Sequence, residues 1–145
     1  MARVTMSSAW QGLAPWAAAL WWGSLTSIGF MAVPLLFVHL PSPAMAGAMA
    51  ARLFTAQTWM SVGCALVLLL AARPRADAPP QGALVLSRAA ILGGLLLALL
   101  LEFGVAPRIV ARDNLALWHR VGSALYGLQW LCAGWTLWRL LRRRS

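Results

Sequence analysis

Four long apolar stretches, separated by short connections that carry arginine, constrain this 145-residue chain more than any motif in it. Hydrophobic residues make up 61% of the chain and charged residues 10%, with only three acidic side chains. Soluble domains average roughly 45–50% apolar and about 25% charged residues. Lipid offers no water to backbone amides, so each stretch must form a helix that closes its own hydrogen bonds. The composition therefore excludes a soluble domain and predicts an all-α, polytopic membrane protein.

The predicted fold is a four-transmembrane-helix bundle that occupies the whole chain as one domain, residues 1–145. A helix needs about 20 apolar residues to cross a bilayer. The four stretches that meet this length are predicted to span at about 14–38, 53–72, 89–105 and 115–138. Pro34 should bend the first span, and the prolines after His39 should stop it, which leaves a connection up to Ala51 with the character of an interfacial segment. The chain shows no convincing internal repeat.

The arginines predict the orientation of the bundle. An even number of spans places both termini on one side, together with the connection between the second and third spans. That side carries Arg3, Arg73, Arg75, Arg88, Arg139, Arg142, Arg143 and Arg144, and the other carries Arg52, Arg108, Arg112 and Arg120. Under the positive-inside rule both termini are cytoplasmic. Because the arginines lie at span edges instead of along one solvated stripe, the expected partner is the lipid bilayer and not nucleic acid.

This orientation gathers six ionisable residues at the outer ends of the spans. The predicted outward-facing polar cluster contains His39, Arg52, Glu102, Arg108, His119 and Arg120. Ionisable groups at membrane depth are costly and usually face a bundle interior or a cavity, so Glu102 and His119 are its strongest functional candidates. The alternative for Glu102 is a purely structural salt bridge to Arg108, Arg52 or Arg120.

His119, Ser123, Tyr126 and Trp130 recur at helical spacing, which predicts one inward-facing stripe on the fourth helix. This stripe has two interpretations: it serves a function, or it holds the helices together. A neutral imidazole is a good ligand for haem iron and for copper, so His119 and His39 are the candidate ligands of a cofactor. Two histidines from distant segments are nevertheless a weak pattern beside a spaced ligand motif, and the methionines form no thioether cluster.

Catalytic motifs are missing from the sequence. It contains no HExxH, no phosphate-cradling glycine loop and no Ser/His/Asp set at one depth, so hydrolytic and nucleotide chemistry are not expected. Cys64 and Cys132 lie within apolar stretches and form neither a disulfide framework nor a CxxC site. They are expected to act as small hydrophobic side chains.

Several short motifs resemble a bacterial family of domains of unknown function, domain of unknown function 4149, which is related to transmembrane protein 205. They lie at residues 20–25 and 30, 34–37, 46–47 with 52–54, 107–109 and 118–120. The resemblance covers nearly the whole chain and implies a four-span bundle whose recurring positions here are Pro34, Phe37, Gly47, Arg52, Phe54 and His119. The family's serine and asparagine after that histidine are replaced by Gly122 and Tyr126. The family is also distantly similar to membrane proteins of copper resistance and of haem-dependent protoporphyrinogen oxidation, although a shared bundle does not transfer function.

These observations favour a non-enzymatic integral protein of the bacterial inner membrane, either a scaffold or a transport-associated bundle. One alternative is a haem- or copper-binding membrane protein that uses His119 and His39. Another is a small transporter or ion pathway in which Glu102, Arg108 and His119 handle a charged solute. The expected protein partner is a second copy of the chain or another membrane protein.

Overall fold

A computed structural model describes residues 2–72 and 82–142, and the side chains of residues 12–72 and 87–142. The helices are α1 (Ala2–Ser27), α2 (Val33–His39), α3 (Pro43–Ala71), α4 (Gly82–Leu100), α5 (Ala106–Val110) and α6 (Leu115–Arg142). No strand occurs in these two ranges, which confirms the all-α prediction. Arg73, Arg75, Arg143, Arg144 and the side chain of Arg3, all used to predict the orientation, lie outside the described residues.

Two π-helical segments connect pairs of helices into longer continuous helical units, which we call rods. Ile28–Ala32 joins α1 to α2, and Leu101–Val105 joins α4 to α5. Each segment ends shortly before a proline, Pro34 or Pro107. Proline has no amide hydrogen and its ring clashes with the carbonyl of the preceding turn, and the wider π-turn accommodates this break. The chain therefore forms four rods: α1 with α2, α3, α4 with α5, and α6.

The four rods pack as a ring in which neighbours in sequence are neighbours in space. α1 packs against α3 and α6, and α4 packs against the same two helices. The core contains few large side chains; Trp21 and Leu25 are fully buried, and Ala18 and Ala65 lie beside them with no exposed surface. Small residues at these contacts let the helix backbones approach closely, as membrane bundles require.

Within the described part of the chain, three segments are long and apolar enough to cross a membrane by length and composition: Gly12–His39, Pro43–Ala71 and Ser87–Val110. Their outer surfaces carry large exposed apolar side chains, among them Trp16 and Val38, which are 74% and 76% exposed. Water would make such a surface an aggregation site, whereas lipid matches it. The fold is that of an integral membrane protein, and the crossing of the fourth rod, α6, stays a prediction.

The first connection is shorter than the sequence analysis expected. α3 begins at Pro43, so residues 43–51 are its first turns and only residues 40–42 separate it from α2. The Ser42 hydroxyl caps this helix by accepting a hydrogen bond from the Met45 amide at 3.3 Å. Serine at the N-cap followed by proline at the first helical position is a helix start signal. Residues 43–51 are therefore helical but continue directly into α3 instead of forming a separate connection, because Pro43 occupies the first helical position. Their place at the membrane interface stays a prediction.

The chain is built from two helical hairpins with the same plan, contrary to the expectation of no repeat. The first hairpin is α1 to α3 and the second is α4 to α6. The sequence aliphatic-x-Phe-x-aliphatic/Ala-x-Pro occurs at 28–34 and again at 101–107, and a π-helical segment covers the same positions of both copies. An aromatic-x-x-Gln motif follows in each hairpin, at 54–57 in α3 and 126–129 in α6.

Residues at matching positions of the hairpins meet at the centre of the bundle. Phe54 and Tyr126 lie edge to face with their ring centroids 5.3 Å apart. Trp21 takes the position in α1 that Gly94 takes in α4, and a Cβ atom added at Gly94 would lie 2.7 Å from Trp21 Cη2. Such contacts between equivalent positions are expected near the axis that relates two parallel repeats.

Candidate functional site

A buried amide and hydroxyl network joins three rods in the middle of the bundle. Gln57 on α3 and Gln129 on α6 are 3% and 2% exposed, and Ser61 is fully buried. The side-chain amides of Gln57 and Gln129 both donate to Ser61 Oγ, at 3.4 and 3.0 Å. Gln57 Nε2 also donates to Ser24 Oγ on α1 at 3.0 Å. The network therefore links α1, α3 and α6 through two serines and two glutamines.

Both serine hydroxyls use their protons on backbone carbonyls. Ser61 donates to Gln57 O at 2.8 Å, and Ser24 donates to Trp21 O at 3.0 Å. A hydroxyl has one donor, so these oxygens can only accept from Gln57, and its amide nitrogen must face them. Gln57 Oε1 consequently points elsewhere, and among the described residues neither it nor the buried Trp21 Nε1 has a hydrogen-bond partner. An unsatisfied buried group costs about 1–3 kcal/mol.

A second polar layer lies nearer the 40–42 and 111–114 turns. Glu102, in the second π-helical segment, is half-buried and accepts a hydrogen bond from Thr55 Oγ1 at 2.9 Å. Tyr126 OH donates to the Leu25 carbonyl oxygen of α1 at 2.8 Å, and its ring packs directly on Gly29. Glu102 and Gly29 are the second residues of their π-helical segments. Each segment thus receives a side chain from a neighbouring rod of the other hairpin at the same position.

The predicted polar cluster divides into one bundle residue and five exposed ones. Only Glu102 makes a side-chain hydrogen bond to another rod. Arg108 stacks on Trp118 with its guanidinium carbon 4.3 Å from the ring centroid, and His39 Nδ1 lies 3.0 Å from the Leu35 carbonyl of its own helix. The remaining members, Arg52, His119 and Arg120, are exposed.

The structural salt bridge considered for Glu102 is absent from the described part of the chain. Arg52, Arg108 and Arg120 are all described, and none of them forms an ion pair with Glu102, whose recorded contact is the Thr55 hydroxyl. The antiparallel rods nevertheless bring all six cluster residues toward one end of the bundle, where the short 40–42 and 111–114 turns connect them. The result is an exposed cationic end and one internal carboxylate.

The predicted inward stripe of α6 is correct only at its two C-terminal members, Tyr126 and Trp130. Tyr126 bonds to α1, and Trp130 Nε1 donates to Thr26 Oγ1 of α1 at 2.8 Å. His119 and Ser123 are exposed. Almost every residue of the first two turns of α6 is exposed, because this end of the helix has few neighbours around it. Helical phase alone therefore fails to indicate burial there.

The structure describes both candidate cofactor ligands, His39 and His119, at exposed positions. Within the described ranges no three His, Cys, Asp or Glu residues gather closely enough to hold a metal ion. Cys64 is buried and Cys132 is partly buried, and both are free thiols. The packing of Cys64 in the apolar core agrees with the interpretation of a small hydrophobic side chain.

The sequence did not predict the roles of Gln57, Ser61 and Gln129, the buried side chains whose hydrogen bonds link α1, α3 and α6. A hydropathy window averages a single glutamine into its apolar surroundings, so no charge or gap marks the position. One signal was available. The aromatic-x-x-Gln motif recurs in the second and fourth apolar stretches, and a buried amide in a span usually faces another helix.

An all-helical fold with apolar outer surfaces, an apolar core that encloses a small hydrogen-bond network, and a charged end defines an integral membrane protein of the helical-bundle class. The chain matches the family model described as domain of unknown function (DUF4149) over residues 16–117, and it belongs to that family. The match runs from α1 into the first turn of α6, which confirms the family resemblance; the relation to transmembrane protein 205 stays a prediction. Comparison with curated proteins and with solved structures gives no match.

Proposed function

We propose that this protein is a non-enzymatic scaffold of the bacterial inner membrane, in which all four rods cross the bilayer and the cationic end presents a docking surface to a partner. Both termini face the cytoplasm in this proposal, and the cationic end faces outward, as the positive-inside rule indicates. The observation that carries the proposal is that the internal polar side chains make hydrogen bonds within the bundle. They form hydrogen bonds from one rod to another, and two grooves found among the described side chains open to the outside of the bundle.

The hydrogen bonds between the internal polar side chains favour a rigid bundle over a path for a solute. Ser61 accepts from two glutamines, Thr55 donates to Glu102, and Tyr126 donates to the backbone of α1. Interhelical hydrogen bonds in membranes contribute about 0.6 kcal/mol on average and up to about 1.7 kcal/mol each. Several of them across different pairs of rods fix the register of the bundle.

The cationic end supports a partner of acidic chemistry. Arg52, Arg108, Arg112 and Arg120 are exposed there, against one exposed acid, Asp113. Such an excess of one sign attracts a complementary acidic segment and selects against basic ones. The favoured occupant is an acidic loop of another membrane protein.

Site-specific photocrosslinking in intact cells tests the proposal. A photoreactive residue at Ala111, in the turn of the cationic end, should give one crosslinked product of defined mass. The same probe at Leu66, an exposed residue on the lipid-facing side of α3, is the control and should give none. Changing the four exposed arginines to glutamine should abolish the Ala111 product. Equal products from both positions, or no product at Ala111, would contradict a docking end.

The second candidate, a small transporter, is favoured by one observation. Gln57 Oε1 is a buried acceptor with no partner in the described residues, and its side chain belongs to the network that joins both hairpins. Transporters of repeat architecture bind solutes at such interfaces, beside interrupted helices. Solute uptake into proteoliposomes tests this candidate. It would be supported against the scaffold if Gln57→Leu abolished uptake while Gln57→Glu and Asp113→Ala did not.

A further inference from the structure

A tryptophan-lined groove runs along the outside of α6, where Trp22 of α1 and Ala90 of α4 complete its lining. Its volume is about 640 Å³, within the range of about 300–1,000 Å³ typical of small-molecule sites. The lining is apolar and is formed mainly by Trp22, Trp130, Trp135, Trp138, Ala90 and Cys132. On α6 the lining extends from Leu128 to Trp138, so the groove follows the helix axis toward its C-terminal end.

The aromatic wall of the groove is held in place by its own contacts. Trp22 and Trp130 lie with their ring centroids 5.6 Å apart. Trp130 is further anchored by the hydrogen bond from its indole to Thr26 at 2.8 Å. Trp135 and Trp138 pack together at 4.8 Å. A groove whose walls are already ordered loses little conformational entropy when a flexible chain enters it.

Positive charge is placed at the C-terminal end of this groove. The Arg142 guanidinium lies over the Trp138 ring at 4.2 Å, and the Arg139 guanidinium lies 5.8 Å from the Trp135 ring centroid. Both rings belong to the groove lining. Guanidinium groups bind phosphate oxygens in bidentate geometry, and tryptophan with arginine is typical of the headgroup boundary of a bilayer.

We propose that this groove binds an anionic phospholipid, with one acyl chain along the tryptophans and the phosphate at Arg139 and Arg142. The apolar length of the groove selects a hydrocarbon chain, and Arg139 and Arg142 beside the C-terminal end of the groove select a negative headgroup. Basic pockets between membrane helices bind anionic lipids by this combination. The site lies at the opposite end of the bundle from the proposed docking surface and does not depend on it.

The first hairpin provides an internal comparison. A groove of about 350 Å³ between α1 and α3 is lined by Ala17, Leu20, Trp59, Met60, Gly63 and Cys64, with Val67. Several of these positions match those of the larger groove in the second hairpin. The smaller groove has a single tryptophan among its described lining residues, against four in the larger groove. It should therefore hold an acyl chain less tightly than the larger groove.

The experiment is native mass spectrometry of the full-length protein in detergent, titrated with phosphatidylglycerol or with phosphatidylcholine of the same acyl chains. The wild-type protein should bind one phosphatidylglycerol more tightly than phosphatidylcholine. Arg142→Gln should weaken phosphatidylglycerol by about fivefold and leave phosphatidylcholine unchanged, since one cation near the surface is worth roughly 1 kcal/mol. Arg142→Lys should keep most of the preference, because it keeps the charge. sn-Glycerol-1-phosphate, which lacks the chains, should not compete.

Matched variants separate the groove from general surface charge. Arg112→Gln removes one exposed cation at the opposite end and should leave the lipid preference intact. Ala90→Phe fills the groove and should weaken both lipids, whereas Gly63→Phe fills the smaller groove and should leave phosphatidylglycerol selectivity unchanged. Equal binding of the two lipids, an Arg112→Gln effect as large as that of Arg142→Gln, or an unchanged affinity in Ala90→Phe would each overturn the proposal. Arg142 is exposed, so its variants keep the test decisive if Ala90→Phe fails to fold.

Discussion

The two hairpins share one plan and use it differently. Each has a π-helical break before a proline, and the second residue of each break receives a side chain from the other hairpin. In the first hairpin this residue is Gly29, and the ring of Tyr126 packs on its backbone. In the second it is Glu102, whose carboxylate binds the Thr55 hydroxyl. The same break in the helix therefore serves close packing in one half and places an ionisable group inside the bundle in the other.

The core shows the same division. Trp21 and Gly94 occupy matching positions, and the large side chain of one fills the space left by the other. Gln57 and Gln129 also match, yet both donate to Ser61 of α3, whose counterpart in α6 is the buried Ala133. At the Trp21 contact the space holds only one bulky side chain, so the two repeats differ there, whereas Phe54 and Tyr126 can both be aromatic because they meet edge to face. The differences at such close contacts hide the repeat from a simple sequence comparison.

The largest expected effect comes from breaking the match between Trp21 and Gly94. Trp21→Gly should destabilise the protein by about 3–5 kcal/mol, since a large buried aromatic side chain is replaced by a cavity. Gly94→Leu should cost about 1–3 kcal/mol, because an added Cβ already meets Trp21 and Cys132 at 2.7 and 3.2 Å. Gly63→Leu, where an added Cβ meets nothing within 4 Å, is the control. Unfolding in detergent, followed by circular dichroism, measures these changes.

The exchange variant, Trp21→Gly with Gly94→Trp, sharpens this comparison. If the two positions are equivalent across the repeat axis, the double variant should recover a substantial part of the stability that each single change loses. A double variant as unstable as the sum of the single changes would show that the hairpins are not interchangeable at this contact.

The second prediction concerns the carboxylate that distinguishes the two π-helical segments. Glu102→Ala should destabilise the protein by about 2 kcal/mol, because a hydrogen bond to a charged group is worth about 1.5–3 kcal/mol and the half-buried Thr55 hydroxyl loses its acceptor. Glu102→Gln keeps an oxygen acceptor and should recover most of this loss. Asp113→Ala, at an exposed turn residue, should change stability by less than about 0.5 kcal/mol. Similar losses for Glu102→Ala and Asp113→Ala would mean that Glu102 has no structural role.

The third prediction concerns the shared serine. Ser61→Ala removes the acceptor of two side-chain amides and should lower the free energy of unfolding by about 1–2 kcal/mol. Ala133→Gly, at the matching position of α6, is the comparison variant without a polar change. A double-mutant cycle of Ser61→Ala with Gln129→Leu should give a coupling of about 0.6–1.7 kcal/mol. Additive effects of the two changes would show that the hydrogen bond between Gln129 and Ser61 does not stabilise the core.

The sequence predicted most of the fold and little of its interior. Apolar length indicated the helices, since hydrocarbon permits almost nothing else. Arg52, Arg108, His119 and Arg120 attracted attention because charge is visible in an apolar sequence, and they lie exposed at the bundle end. Of the predicted polar cluster, only Glu102 takes part in a side-chain hydrogen bond between rods, and helical spacing predicted Tyr126 and Trp130. The other interhelical bonds are made by glutamine, serine and threonine, which ordinary hydropathy averages away. Their partners come from segments far apart in sequence, and only the packing of the rods brings them together.

The smallest expected effect tests the one hydroxyl that separates the matching aromatic residues, Phe54 and Tyr126. Tyr126→Phe makes the two positions identical and removes the hydrogen bond to the Leu25 carbonyl, which is 2.8 Å long. The edge-to-face contact with Phe54, 5.3 Å between centroids, and the packing on Gly29 should remain. The loss should therefore be about 0.6 kcal/mol, the average for such bonds in a membrane. Phe54→Leu, which keeps the hydroxyl and removes the ring contact, should cost more. If Tyr126→Phe were the more damaging of the two, the hydrogen bond and not the packing of the matching aromatic residues would hold the hairpins together at this level.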